Sequence, residues 1–69
     1  MNKTEQDILK FVSEHPNSDT ANVSMNTGYS YEETANALYK LHFQGYVRAN
    51  VRNGSKFTIT NVGKAWVEK

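Results

Sequence analysis

Cysteine is absent from the 69 residues, so neither a disulfide nor a thiolate metal site can brace this chain. That composition suits a reducing cytoplasm. Proline occurs once, at Pro16. No apolar run approaches the roughly 20 residues of a membrane-spanning helix, and the N-terminus lacks the apolar stretch of a signal peptide. A soluble, cytoplasmic protein without a membrane partner is expected. Catalytic constellations are missing too. There is no glycine-rich phosphate loop, and the one adjacent pair of carboxylates that invites comment is Glu32-Glu33. His15 and His42 have no metal-ligand spacing to each other or to an acid, so no enzyme, cofactor or metal is expected. The length allows one domain, 1–69, whose small core must pack well or be completed by dimerisation.

The net charge is +1, but its two signs are separated along the chain. Residues 1–39 hold two lysines against six acids, and residues 40–69 hold six basic residues against one acid. Such asymmetry points to one basic surface able to meet a polyanion.

The most informative stretch runs from Ser30 to Val47. Ser30 and Glu33 form a capping box. Ala35, Leu38, Leu41 and His42 then recur at helical spacing, with Tyr31 and Thr34 one turn earlier on the same side. Gly45 supplies the left-handed stop. The free face of this helix carries Glu32, Glu33, Asn36 and Lys40. Upstream, Thr4 with Asp7 caps a first helix, in which Ile8, Phe11, Val12 and His15 share a face with Leu9 at its border. Pro16 ends that helix. Ser18 or Asp19 caps a short second helix with Val23 on its weak apolar side, and Gly28 takes positive φ in the turn that follows. Tyr29 sits between the second helix and the one that starts at Ser30 and plugs the core at their crossing.

Downstream, residues 47–60 alternate with period two around Asn53-Gly54, a hairpin signal. A two-residue turn would split the apolar side chains between both faces. A three-residue loop, Arg52-Asn53-Gly54, pairs Val51 with Ser55, Ala49 with Phe57 and Val47 with Ile59, which gathers them on one face. The outer face then holds Arg48, Asn50, Lys56, Thr58 and Thr60, with Arg52 and Asn53 at the tip. Thr60 or Asn61 caps a last helix, which Gly63 weakens, and Trp66 is either a lid on the core or a dimer contact. These readings predict helices at 4–15, 19–26 and 31–44, strands at 47–51 and 55–60, and a helix at 61–68. The expected core is Ile8, Phe11, Val12, Val23, Tyr29, Ala35, Leu38, Leu41, Val47, Phe57, Ile59 and Trp66.

Four segments carry a family likeness when taken in order. They are Thr27-Gly28-Tyr29-Ser30, Thr34-Ala35, Leu38-x-x-Leu41-x-x-x-Gly45-Tyr46-Val47, and Phe57-Thr58-Ile59-Thr60-x-x-Gly63. Together they resemble the winged helix-turn-helix DNA-binding domains of MarR- and PadR-type transcription regulators. The resemblance implies an α+β fold: three helices, a two-stranded wing hairpin and a short C-terminal helix. It implies double-stranded DNA as partner, with the helix at Ser30–Gly45 in the major groove and the hairpin along the backbone or minor groove. Carried over by position, Asn36 and Lys40 face bases or nearby phosphates, and Arg48, Arg52, Asn53 and Lys56 make the wing contacts. Tyr31 and Tyr39 flank that face. Glu32 can accept a hydrogen bond from cytosine N4. A small transcriptional regulator or mobile-element accessory protein is the implied function. A homodimer would form through Trp66 or the exposed side of helix 1. Two carboxylates at the start of the recognition helix disfavour nonspecific DNA affinity, so the alternative is a winged-helix module that binds protein, as a regulatory subunit or inhibitor.

Overall fold

The computed structural model describes residues 1–50 and 56–68. The described chain runs α1 (Lys3–Glu14), β1 (Ser18–Asp19), α2 (Thr20–Thr27), α3 (Tyr31–Phe43), β2 (Val47–Asn50), β3 (Lys56–Ile59) and α4 (Asn61–Val67). The strands form one antiparallel sheet in the order β1-β3-β2. Val47 lies opposite Ile59 and Ala49 opposite Phe57, the register that gathers the apolar side chains on one face. The proposed loop Arg52-Asn53-Gly54 and the pairing of Val51 with Ser55 lie outside the described residues. A helix-turn-helix, α2 to α3, followed by a wing and a short closing helix is a winged helix.

The helix ends show where local chemistry decides. Ser30 and Glu33 make the expected reciprocal cap of α3, at 3.1 and 3.3 Å. Gly28 and Gly45 take φ of 84° and 86°, as their turns require. The cap of α1 is different from the expectation. Asn2, not Thr4, accepts from Glu5 N at 2.8 Å, and the Glu5 carboxylate returns to Asn2 N at 3.0 Å. Asn2-x-x-Glu5 prevails over Thr4-x-x-Asp7 because the longer glutamate side chain reaches back across the turn. Asp7 is thereby left to accept from the Tyr29 hydroxyl at 2.5 Å, which ties α1 to the turn between α2 and α3. Asp19 caps α2 by accepting from Asn22 N.

Strand β1 is not foreshadowed by any periodicity. Asn17, at φ 62°, turns the chain after Pro16 so that Ser18 and Asp19 lie along β3. Asparagine tolerates that left-handed conformation better than most residues.

The core consists of Ile8, Leu9, Val12, Val23, Ala37, Leu38, Leu41, Val47 and Phe57. Leu9 is fully buried rather than marginal, because α1 is packed by α2, α3, β3 and α4 and so buries a wide arc. The stripe of α3 is rotated from the expected one. It runs through Thr34, Ala37, Leu38 and Leu41, while Ala35 and His42 sit at its border and Tyr31 is 63 % exposed. Phe11, Tyr29, Ile59 and Trp66 pack against this core as partly buried neighbours rather than within it. Trp66 thus acts as a lid. Thr34 is fully buried, and its hydroxyl has no hydrogen-bond partner among the described residues.

Gly63 has a packing role beside its low helix propensity. In α4 it is buried, and a Cβ built there would lie 2.2 Å from the Tyr46 carbonyl oxygen and 2.9 Å from Ile59 Cγ1. The glycine therefore permits the close approach of α4 to the start of the hairpin. That same carbonyl accepts from Thr60 N at 3.0 Å, and the Thr60 hydroxyl donates to Gly45 O at 2.6 Å.

Three outcomes are expected. Gly63→Ala gains about 1 kcal/mol of helix propensity but meets backbone that cannot yield. Overpacking of about 3 kcal/mol wins, and a net loss of about 2 kcal/mol lowers the thermal midpoint by roughly 10 °C. Thr34→Val removes an unpaired buried hydroxyl and stabilises by about 1 kcal/mol in urea titrations. The third concerns pH. The Tyr29 hydroxyl, aided by the Lys3 charge and opposed by partial burial, holds the Asp7 carboxyl below its ordinary 3.8. The Asp7 carboxylate in turn raises the Tyr29 phenol above 10.0. The contribution of Asp7 is complete above 3.8 and is lost as pH falls through its lowered folded value. The contribution of Tyr29 is complete below 10.0 and is lost as pH rises through its raised folded value. Tyr29→Phe should lower stability across the neutral range and flatten both falls, read by urea melts at a series of pH values.

Candidate nucleic-acid interface

Successive residues of an α-helix are set about 100° apart. With Thr34, Ala37, Leu38 and Leu41 turned inward, the opposite line of α3 is Glu32, Asn36, Tyr39 and Phe43. All four are exposed, Tyr39 at 47 % and Phe43 at 84 %. This line is the face of α3 that the rest of the described domain leaves uncovered. Asn36 stands on it as the sequence implies. Phe43 belongs to it and was not among the expected residues, although its spacing from Asn36 and Tyr39 puts it in phase. Tyr31 is exposed in the first turn. Tyr39 is steadied from beneath by an edge contact with Phe57 of β3, ring centroids 6.1 Å apart.

Lys40 is not on this line. Its ammonium lies 3.9 Å from the Glu5 carboxylate, across a cleft of about 250 Å³ between the start of α1 and α3. Glu5 is buried and Lys40 mostly exposed, so the pair is a loose tether at the margin of the outward face. Two carboxylates begin α3, but their surroundings differ. Glu33 is engaged in the cap of its own helix. Glu32 makes no hydrogen bond or ion pair among the described residues. Both suit the positive end of the helix dipole.

On the wing, Arg48 and Lys56 are exposed and half-buried, respectively, on the face opposite the core. Lys56 lies opposite Asn50 on β2 and opposite Asp19 on β1. The hairpin itself has no acid, but β1 brings one beside it, which the sequence did not reveal. Asp19 is already committed to the cap of α2. Thr58 donates to Asn17 across the same sheet at 3.0 Å. Arg52 and Asn53 lie outside the described residues. His15 stacks on Phe11, ring centroids 4.4 Å apart. His42 Nδ1 is 3.3 Å from Val47 O. Among the described residues no cluster of histidine or acid could hold a metal ion.

No family model matches the sequence. No curated protein matches it either. Solved structures do. The transcriptional regulator Tm0710 of Thermotoga maritima superposes with a TM-score of 0.86 at 18 % identity, over 97 % of this chain and 49 % of that one. The MarR family protein Rv2887 of Mycobacterium tuberculosis gives 0.86 at 22 % identity, over 99 % and 50 %. BpsR of Bordetella bronchiseptica, a protein whose DNA binding is regulated by 6-hydroxynicotinic acid, gives 0.92 at 16 % identity, over 99 % and 50 %. The chain thus spans about half the length of these structures. At such identities the likeness is one of architecture. This chain has the winged helix-turn-helix fold of the MarR-type transcriptional regulators.

Proposed function

We propose that this domain binds double-stranded DNA sequence-specifically, as a small transcriptional regulator or mobile-element accessory protein. In this reading α3 enters the major groove and the wing follows the backbone. One observation carries it: α3 buries one side completely and leaves the opposite line free, beside a hairpin that has cations and no acid. From Thr34 to Val67 the sequence contains Lys40, Arg48, Arg52, Lys56 and Lys64 and not one carboxylate side chain. The regulators that share the fold add support.

The roles divide by chemistry. Asn36 has the amide that matches the N6 and N7 edge of adenine. Arg48 and Lys56, with Arg52 and Asn53, neutralise or bind phosphates, which positions the domain without reading sequence. Lys40, tethered toward Glu5, serves a phosphate at the edge of the groove rather than a base. Tyr31 flanks the first turn. Two copies on adjacent half-sites would double the phosphate contacts, so a homodimer on DNA is part of the reading. A cytoplasmic setting follows from the same role, and binding rather than catalysis is the activity.

A protein-interaction module is the second reading. The observation that favours it is the uncompensated Glu32 beside exposed Tyr31, Tyr39 and Phe43. Random-sequence duplexes, bound at two salt concentrations and followed by selection of the bound sequences, separate the two. The DNA reading gives an enriched motif and marked loss of affinity with salt; no binding at low salt gives the face to a protein.

Two variants then test the division of labour. Arg48→Ala should weaken all duplexes about equally and reduce the slope of log affinity against log salt by about one. Asn36→Ala should cost about 1–3 kcal/mol on the selected site with little change on random DNA. The converse pattern would make the wing the reader and displace α3 from the major groove. Sedimentation of the free protein and of its complex with the selected duplex reports the stoichiometry, and a strict monomer in both removes the dimer.

A further inference from the structure

We propose that the outward line of α3 reads A·T pairs, with the exposed ring of Phe43, seconded by Tyr39, contacting thymine methyl groups beside an adenine held by Asn36. The proposal rests on the DNA-binding reading and names the base composition that the surface selects. Three observations lead to it. First, α3 contains no arginine, and its one lysine is drawn toward Glu5. The commonest route to a specific contact, a cation paired with guanine O6 and N7, is therefore missing from the line.

Second, Phe43 is 84 % exposed at the end of a helix whose other large apolar side, Leu38 and Leu41, is fully buried. Its ring touches only its neighbour His42 among the aromatic contacts of the described residues. Third, it is in phase with the one side chain on the line suited to an adenine edge. Asn36 and Phe43 are seven positions apart. That separation is about 10 Å along the helix axis, or about three steps of a strand at 3.4 Å each.

The pairing of chemistries is specific. In the major groove an A·T pair shows the adenine N7 acceptor and N6 donor together with the C5-methyl of thymine. An amide satisfies the first, and an apolar ring covers the second. Neither finds a full match on G·C, where cytosine lacks the methyl and guanine offers acceptors alone. Tyr39 lies between the two on the same line, its orientation fixed by the contact with Phe57.

Uracil differs from thymine by that methyl alone, so replacing one with the other isolates the contact. The selected duplex and the same sequence with uracil in place of thymine would be compared by fluorescence anisotropy. Wild-type protein should bind the uracil duplex about fourfold more weakly for each methyl contacted, the effect of burying one carbon. Phe43→Ala should bring the ratio close to one, and Phe43→Leu should restore part of it. An exposed side chain at this position leaves the thermal midpoint unchanged, which is checked on the same samples. Equal affinity of wild type for both duplexes overturns this inference while leaving DNA binding intact. So does a thymine preference that survives in Phe43→Ala. Failure to bind either duplex overturns the DNA reading itself and awards Phe43 and Tyr39 to a protein partner.

Discussion

The Tyr46 carbonyl oxygen is the point at which α3, the hairpin and the closing helix α4 meet. It accepts from the Thr60 amide and hydroxyl, and the backbone of Gly63 lies against it so closely that no side chain fits between. Gly45, in its left-handed turn, hands the chain from α3 into this junction, while Tyr46 N returns to Leu41 O. The angle between α3 and the hairpin is thus set by backbone contacts, which are stiffer than side-chain packing. In the proposed DNA-binding role, a helix and a hairpin that meet one duplex together depend on that stiffness.

Electrostatically, the surface is divided rather than uniformly basic. The wing supplies cations, and the outward line of α3 supplies an amide, two rings and one free carboxylate. Cations give affinity that falls with salt, whereas amides and apolar rings discriminate with little dependence on it. Glu32 sharpens this division, since a carboxylate without a partner repels phosphate on every sequence and is offset only where a base offers a donor. In the proposed DNA-binding role, such a surface sacrifices nonspecific affinity and gains contrast between sites. The Lys40–Glu5 tether acts in the same direction by keeping the one cation of α3 at the margin.

Much of the fold was legible because its signals are local. Ser30 with Glu33, Gly28 and Gly45 each have one chemical use at their positions, and the hairpin register followed from placing Val47, Ala49, Phe57 and Ile59 on one face. What escaped depends on tertiary neighbours. The choice of Asn2 over Thr4 turns on the reach of a glutamate. Ala35 and Ala37 are alike in sequence, and only the position of α1 decides which is covered. Strand β1 exists because β3 offers it an edge. Helix propensity marks Gly63 as a weakness, yet the structure uses it as a fitting. In the candidate interface Asn36 was legible from phase. Phe43 was legible by the same arithmetic but hidden by its place beside the helix stop, and the tether of Lys40 to Glu5 joins residues 35 positions apart.

The packing of α1 against α4 has a kinetic consequence. Residues near the two ends of the described chain complete one core, so the part of α1 that faces α4 is covered only when the two helices meet, after α2, α3 and β3 have covered the rest. Helices α2 and α3 are close in sequence and meet early, but the long closure that brings α4 home carries the entropy of the intervening loop. Folding should therefore be all-or-none and paced by that final docking.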